Sequence, residues 1–220
     1  MILMNDFFAK DPLLVAQGLL GKVLRHYYHG IWLSAMIIET EAYYLSDKGS
    51  HASLGFTEKR KALFMAPGTI YMYYARGGDS INVSCLGDGN AVLLKSGIPY
   101  TEDASETMLA TMLRLNPMPG ERPRRIAKLC SGQTLLCRSL GLKVPDWNQK
   151  TFTIDKIKME DVGYLPKRII QTRRLGIPLG RDEHLPYRFI DYEQAKFCTD
   201  NPLAKRSGQP GIDYLIHEKR

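Results

Sequence analysis

The sequence predicts an α+β fold in a single mixed domain, and three observations carry that reading. Three β-rich segments between residues 69 and 95 alternate with glycine-containing turns, the pattern of an antiparallel meander. Helical stretches with capping signals precede and follow them. Across 220 residues no linker divides two hydrophobic halves, and no repeat or low-complexity stretch appears.

Asp11 is placed to cap an opening helix, Pro12 fits its first position and Gly21 ends it. Leu14, Val15, Leu19 and Leu20 supply its buried face. Val23–Tyr28 and Ile31–Tyr43 read as strands about a His29-Gly30 turn. A polar loop over 46–50, containing Asp47, Lys48 and Gly49, closes the second of them. Residues 69–76 are rich in β-branched and aromatic types. Gly77-Gly78-Asp79 then turns the chain, 80–86 returns, Gly87-Asp88-Gly89-Asn90 turns again, and 91–95 forms the third strand. A helix is expected over 102–115, with Met108, Met112 and Leu115 at helical spacing and Asn116-Pro117 as its stop. A basic, proline-containing loop follows over 119–125. Ser131 is placed to cap a helix running to Leu140, with Gly141 at its end. Beyond Val144 the pattern weakens, leaving 151–157 and Arg188–Asp191 as short strands. Residues 206–220 read as a loosely held tail, which sets the bounds at 1–205 for the domain and 206–220 for the tail.

Composition removes several classes. Hydrophobic residues make up 44% and charged residues 24%, which is ordinary for a folded soluble protein and argues against a largely disordered chain. No apolar run reaches the roughly 18–20 residues that a membrane helix needs. Residues 1–10, with Asp6 and Lys10, lack the organisation of a signal peptide. An intracellular protein without a membrane partner is expected, cytoplasmic if bacterial. Thirty Lys and Arg against 23 Asp and Glu give a net charge of +7, which points to a polyanionic partner or to a merely basic surface. Cys85, Cys130, Cys137 and Cys198 include no C-x-x-C pair, and the five histidines include no H-x-x-x-H spacing. Free thiols in a reducing compartment are expected, with neither a disulfide framework nor a zinc ribbon.

Four groups of residues suggest chemistry. In the run Glu39-Thr40-Glu41-Ala42-Tyr43, period-two alternation puts Glu39, Glu41 and Tyr43 on one face and Ile38, Thr40 and Ala42 on the other. Two carboxylates beside a tyrosine can serve as a general-base site; an exposed strand face is the bland counterpart. Tyr71 and Tyr73 share one face of their strand, Tyr74 and Arg76 the other, and aromatic faces beside positive charge suit base stacking. His51, in Ser50-His51-Ala52-Ser53, can be a ligand, an acid or a pocket wall. Arg122, Arg124, Arg125, Lys128, Lys167, Arg168, Arg173 and Arg174 can neutralise phosphates or form a solvated surface. A phosphate loop, a G-x-S-x-G elbow and a well-placed G-x-G-x-x-G motif are all missing from the sequence.

Taken together and in order, these motifs resemble the alkyladenine (3-methyladenine) DNA glycosylase family. The resemblance begins at Phe7-Phe8 and Val15-Ala16-Gln17-Gly18-Leu19-Leu20-Gly21-Lys22. It continues through Glu39-Thr40-Glu41-Ala42-Tyr43, Ser50-His51-Ala52 and Phe64-Met65-Ala66-Pro67-Gly68-Thr69-Ile70-Tyr71-Met72-Tyr73. Asn82-Val83-Ser84, Gly87-Asp88-Gly89, Val92-Leu93-Leu94 and Leu129-Cys130-Ser131-Gly132 with Leu136-Cys137 follow, and Arg174-Leu175-Gly176-Ile177 and Arg188-Phe189 complete it.

The resemblance implies a curved antiparallel sheet flanked by helices, and a base-flipping enzyme without metal or cofactor. It implies that Glu41 activates water, that Tyr43, His51 and Tyr73 form the base pocket, that Asn82 disfavours a guanine amino group, and that the backbone about Ile177 closes the pocket. Glu39 is then expected to orient Glu41 or to raise its pKa by repulsion. The implied partner is damaged double-stranded DNA; without a matched lysine, hydrolysis with no strand cleavage is expected, and a monomer is expected because one domain suffices and no interface signature stands out. The chain departs from the family in the turn that usually carries a bulky wedge. Tyr74 or Arg76 is left for that role, and Lys95, grouped with them as a DNA-binding candidate, stands where an arginine is common. The main rival reading is a non-catalytic binder of damaged or single-stranded nucleic acid; a second is a hydrolase or transferase for a small nucleoside.

Overall fold

A computed structural model describes residues 1–101, 106–205 and 208–218. Two helices open the chain, α1 over Asn5–Phe8 and α2 over Pro12–Leu19. Asp11 caps α2 by accepting from the Leu13 amide at 2.8 Å, and Pro12 occupies the first turn, where its missing N–H costs nothing. Val15, Ala16 and Leu19 are buried, but Leu14 is 61% exposed, so the helix turns a different stripe inward from the one expected. Gly21 ends the segment at φ +83°, and a Cβ there would lie 2.6 Å from the Tyr164 ring. Both the backbone angle and the close approach therefore require glycine.

Strands β1, Val23–Tyr28, and β2, Ile31–Tyr43, form a hairpin about His29-Gly30, both with positive φ as a two-residue turn of the primed type demands. The meander follows as β3, Ile70–Ala75, β4, Gly78–Ser84, and β5, Ala91–Pro99. Its first turn is Arg76-Gly77, at φ 50° and 77°, and Gly78 and Asp79 already pair with Ala75 and Tyr74. The turn thus sits one residue earlier than the glycine pair suggested. Helix α3 covers Glu106–Leu115; the expected start at Glu102 lies outside the described residues. Helix α4, Gln133–Ser139, begins after Gly132 and receives no side-chain cap, since Ser131 instead donates to the Cys198 carbonyl at 3.2 Å. Helix α5 is Val144–Trp147. The strand expected over 151–157 is reduced to isolated bridges at Thr151 and Thr153, and β6 runs over Ile157–Glu160. Strands β7, Arg168–Thr172, and β8, Arg188–Asp191, pair with each other. Within the stretch read as a loose tail, Tyr214–Glu218 forms β9 along β7.

All the pairings are antiparallel, and the sheet runs β3-β4-β5-β2-β8-β7-β9, with β1 and β6 branching from β2. One edge of β2 lies along β5. Its other edge is shared, with β1 against residues 31–36 and β8 against Glu39, Thr40 and Glu41. The register against β5 slips between Ile37 and Thr40. Ile37 packs in the main core under the helices, while Ile38 packs on the other face with Met36, Ile170 and Ile190. Thr40 and Ala42 return to the helical face, Thr40 donating to the Ala16 carbonyl at 2.8 Å. Ile38 therefore lies on the opposite face from Thr40 and Ala42, against strict alternation, because the irregularity inserts half a pleat. All four cysteines are free and buried, and burial pushes each thiol up, Cys130 to about 12. Among the described residues no helix is long and apolar enough to cross a membrane.

Candidate active site

Register alone assembles the centre of the site. Tyr71 opposes Asn82, Asn82 opposes Leu93, Leu93 opposes Glu41, and Glu41 opposes Arg188. Directly opposed residues share a face of the sheet, so five strands place these side chains in one row. The row underlies a cavity of about 730 Å³, lined also by Tyr43, His51, Tyr73, Lys95 and the segments 132–134 and 175–178. That volume accommodates a purine with room beside it.

Glu41 has no exposed surface and sits immediately behind three lining residues. Its Oε1 accepts from the Leu175 amide at 3.0 Å and lies 3.2 Å from the Lys95 ammonium. Its Oε2 accepts from the Tyr43 hydroxyl at 2.7 Å. Burial pushes the carboxyl up. The Lys95 and Arg188 charges, the Leu175 amide and the Tyr43 hydroxyl outweigh it, and hold Glu41 below the ordinary carboxylate range. Glu41 is thus an anion at neutral pH. A carboxylate has about four acceptor positions, and three donors leave one of them, on Oε2, for a water.

Tyr43 is the hinge between this carboxylate and the surrounding loops. Burial, reinforced by the Glu41 charge, pushes its hydroxyl well up, so it remains a neutral donor. Behind the ring, 4.6 Å from its centroid, lies the Arg174 guanidinium, which also faces Tyr187 at 5.3 Å. Arg174 donates to Asp47 at 2.7 Å and to the Ala42 carbonyl at 3.0 Å, with both charged side chains almost wholly buried. Arg174 therefore leaves the set of phosphate neutralisers: its charge is spent inside the fold. Arg168 is also engaged, with Glu193 at 3.0 Å.

Glu39 is fully buried and accepts from Ser96, Arg188 and both the amide and hydroxyl of Thr199. Its own hydrogen bonds are satisfied without Glu41. The expected upward push on Glu41 by repulsion is not what results: the Arg188 guanidinium that neutralises Glu39 also lowers Glu41.

The aromatic wall is continuous. Tyr71 and Tyr73 stack at 5.5 Å, and His51 meets Tyr73 edge-on at 4.4 Å. His51 Nδ1 lies 3.0 Å from the Tyr71 hydroxyl. Burial, with Arg60 and Arg181 nearby, pushes His51 below its ordinary value, which favours the neutral ring. Asn82 Nδ2 donates to the Tyr71 carbonyl at 3.2 Å, which fixes the amide's orientation. Ile177 lines the cavity, and its side chain lies against Gly49, where a Cβ would approach Ile177 to 2.9 Å.

Tyr74 and Arg76 do not share a face. Tyr74 points away from the cavity and is 63% exposed. The left-handed backbone at Arg76 swings its side chain onto the cavity mouth, and a Cβ at Gly176 would lie 3.4 Å from its Nη2. Lys95, expected at the DNA surface, is 12% exposed and directed at Glu41. Sequence reasoning missed the Leu175 amide and the cavity-lining Gln133. A backbone donor leaves no residue-type signal, and Gln133 had only its place beside Ser131-Gly132. Among the described residues no group of three or more metal-ligating side chains comes together.

Comparison with known proteins adds a family to this geometry. Residues 6–195 match the methylpurine-DNA glycosylase family. A protein from Pseudomonas aeruginosa strain LESB58, described as "Putative 3-methyladenine DNA glycosylase", is 59% identical over 96% of this chain and 89% of its own. One from Pseudomonas syringae pv. tomato with the same description is 58% identical over 97% and 96%. A more distant one from Carboxydothermus hydrogenoformans, again so described, is 33% identical over 86% and 94%.

Proposed function

The chain belongs to the methylpurine-DNA glycosylase family and is a DNA glycosylase, and we propose that it flips alkylated or deaminated purines out of duplex DNA and hydrolyses their N-glycosidic bonds. The substrates are 3-methyladenine, 7-methylguanine and hypoxanthine. The enzyme acts as a monomer, with residues 214–218 completing the sheet of the domain, and Glu41 carries the chemistry. The observation that supports this most is the buried Glu41 anion, held by Lys95, Tyr43 and the Leu175 amide against an aromatic-walled cavity.

The sugar bond is inaccessible within a duplex, so the nucleotide must leave the stack, at a cost of a few kcal/mol that is lowest for a damaged pair. The extruded base lies against Tyr43, His51 and Tyr73. A 3- or 7-alkylated purine is cationic, and the ring faces attract it. As the C1′–N bond breaks, the base takes the bonding pair and departs, neutral if it was cationic, while positive charge grows on the sugar. The fixed Glu41 anion stabilises that charge and accepts a proton from the water whose oxygen bonds to C1′. Because Glu41 is held below the ordinary range, it is a weak base and an anion at neutral pH. Bond breaking therefore runs ahead of proton transfer, which suits a good leaving group. Hypoxanthine, being neutral, needs a proton as it leaves. Lys95 is the one lysine lining the cavity among the described residues, and Glu41 engages its ammonium, so Schiff-base chemistry is not expected and the DNA strand stays intact.

Release of free base from duplexes carrying each lesion, with EDTA present, tests the proposal. Wild type releases base and leaves an uncut abasic strand, while Glu41→Gln binds the lesion yet loses on the order of 10²–10⁴ in rate. Normal turnover by Glu41→Gln would sink the role of Glu41. Tight lesion binding by wild type without release would restore the non-catalytic binder.

A further inference from the structure

We propose that Gln133, with the hydroxyls of Ser80 and Tyr73, forms a hydrogen-bonding subsite that reads the polar edge of the purine in the cavity, so that Gln133 determines which lesions are removed; this rests on the glycosylase reading above. Tyr73 and Ser80 are directly opposed on β3 and β4, and the Tyr73 hydroxyl faces both Ser80 and Gln133. Ser80 has no exposed surface, and Gln133 lines the cavity. Ser80 Oγ and Gln133 Oε1 are both buried and make no hydrogen bond of good geometry; the Tyr73 hydroxyl is the one polar group that Ser80 and the Gln133 amide approach, and Gln133 Oε1 is left without a donor.

Buried polar atoms are nearly always paired, and each exception calls for an explanation. Elsewhere on the wall the polar groups are engaged within the fold. Asn82 Nδ2 donates to the Tyr71 carbonyl, His51 meets the Tyr71 hydroxyl, and Tyr43 donates to Glu41. Among the described residues, two of the buried atoms left without a good hydrogen bond, Ser80 Oγ and Gln133 Oε1, lie together at the Tyr73 end of the cavity, whereas those of Arg174 lie behind the Tyr43 ring. Two acceptors there ask for N–H donors from a ligand, and purine bases carry them: the 6-amino group of 3-methyladenine, N1–H of hypoxanthine, N1–H and the 2-amino group of 7-methylguanine. The aromatic rings respond to a base's charge but cannot read its hydrogen-bonding edge, because every purine presents a π-face. A site built around hydrogen bonds can, since a base lacking the matching group leaves buried atoms unpaired. The Gln133 amide offers a donor as well as an acceptor, which matches an N1–H beside a carbonyl oxygen. A neutral base gains more from this subsite than a cationic one, which already departs readily.

Single-turnover release from duplexes carrying hypoxanthine or 7-methylguanine reads the subsite directly. Gln133→Leu is expected to lower the hypoxanthine rate relative to that of 7-methylguanine by roughly tenfold. Ser80→Ala should move the same ratio in the same direction. Affinity for a duplex with an abasic site, which presents no base, should match wild type in both variants. Lesion ratios unchanged in both variants would overturn the subsite. So would an equal loss on every lesion together with lost abasic affinity. Absence of release by wild type would instead overturn the glycosylase reading, and the subsite with it.

Discussion

Replacing Lys95 by methionine isolates the balance that keeps Glu41 charged. The ammonium lies 3.2 Å from Oε1 in a pocket where Lys95 is 12% exposed and Glu41 is not exposed at all. At that separation, and with an effective dielectric constant of about 20, the gross attraction is about 5 kcal/mol. Methionine keeps the side-chain length and removes the charge. Burial then weighs against only Arg188, the Leu175 amide and the Tyr43 hydroxyl, so the carboxyl rises. Catalysis needs the carboxylate, and activity is lost as pH falls through the Glu41 pKa. Raising that pKa moves the acid limb of the profile upward, by about 1–3 pH units for the loss of an opposite charge this close. Release of 7-methylguanine under single-turnover conditions, followed from pH 5 upward (roughly the range where carboxyls of raised pKa titrate), should be flat for wild type, whose limb lies below this range, and show an acid limb for Lys95→Met. This lesion is already cationic, so protonation of the base does not enter. Lys95→Arg should leave the limb where wild type has it. If Lys95→Met lowers the rate equally at every pH, the reasoning is refuted and Lys95 serves the DNA backbone instead.

Three other perturbations separate surface from interior. Arg76 stands on the cavity mouth, so Arg76→Ala should reduce the salt dependence of lesion binding by about one unit of log–log slope. Tyr74, facing away from the cavity, should tolerate alanine with base release unchanged. Asp47→Ala leaves the buried Arg174 charge without its carboxylate and should cost about 3–5 kcal/mol in urea unfolding. A loss below about 1 kcal/mol would show that the ring faces of Tyr43 and Tyr187 suffice to hold Arg174.

The β1–β2 hairpin is legible in the sequence because its turn is local and its strands are apolar. The second half of the sheet is not. Strands β7 and β9 are five residues each, and their pairing joins segments that no local pattern connects. Leu14 misled because a leucine on a helix of eight residues can face either way, and packing against β2 decides. Period-two alternation put Glu39, Glu41 and Tyr43 on one face, as found, but it could not foresee the irregularity that carries Ile38 over to that face. In the site, Glu41, Tyr43, His51, Tyr73, Asn82 and Ile177 come together. Reading Arg174 as a surface charge failed, since its partners, Asp47 and Tyr43, lie more than a hundred residues away in the chain. Burial of a charge is a tertiary fact.

The four cysteines acquire a meaning from the work this protein does. Whatever methylates purines in a cell is an electrophile, and thiolates are softer and faster targets than DNA bases. A repair enzyme dosed with the same reagent as its substrate risks inactivating itself. Here each sulfur is buried and burial keeps it protonated through the physiological range. The reactive form is suppressed and the approach is blocked. The fold shelters its own nucleophiles from the damage it repairs.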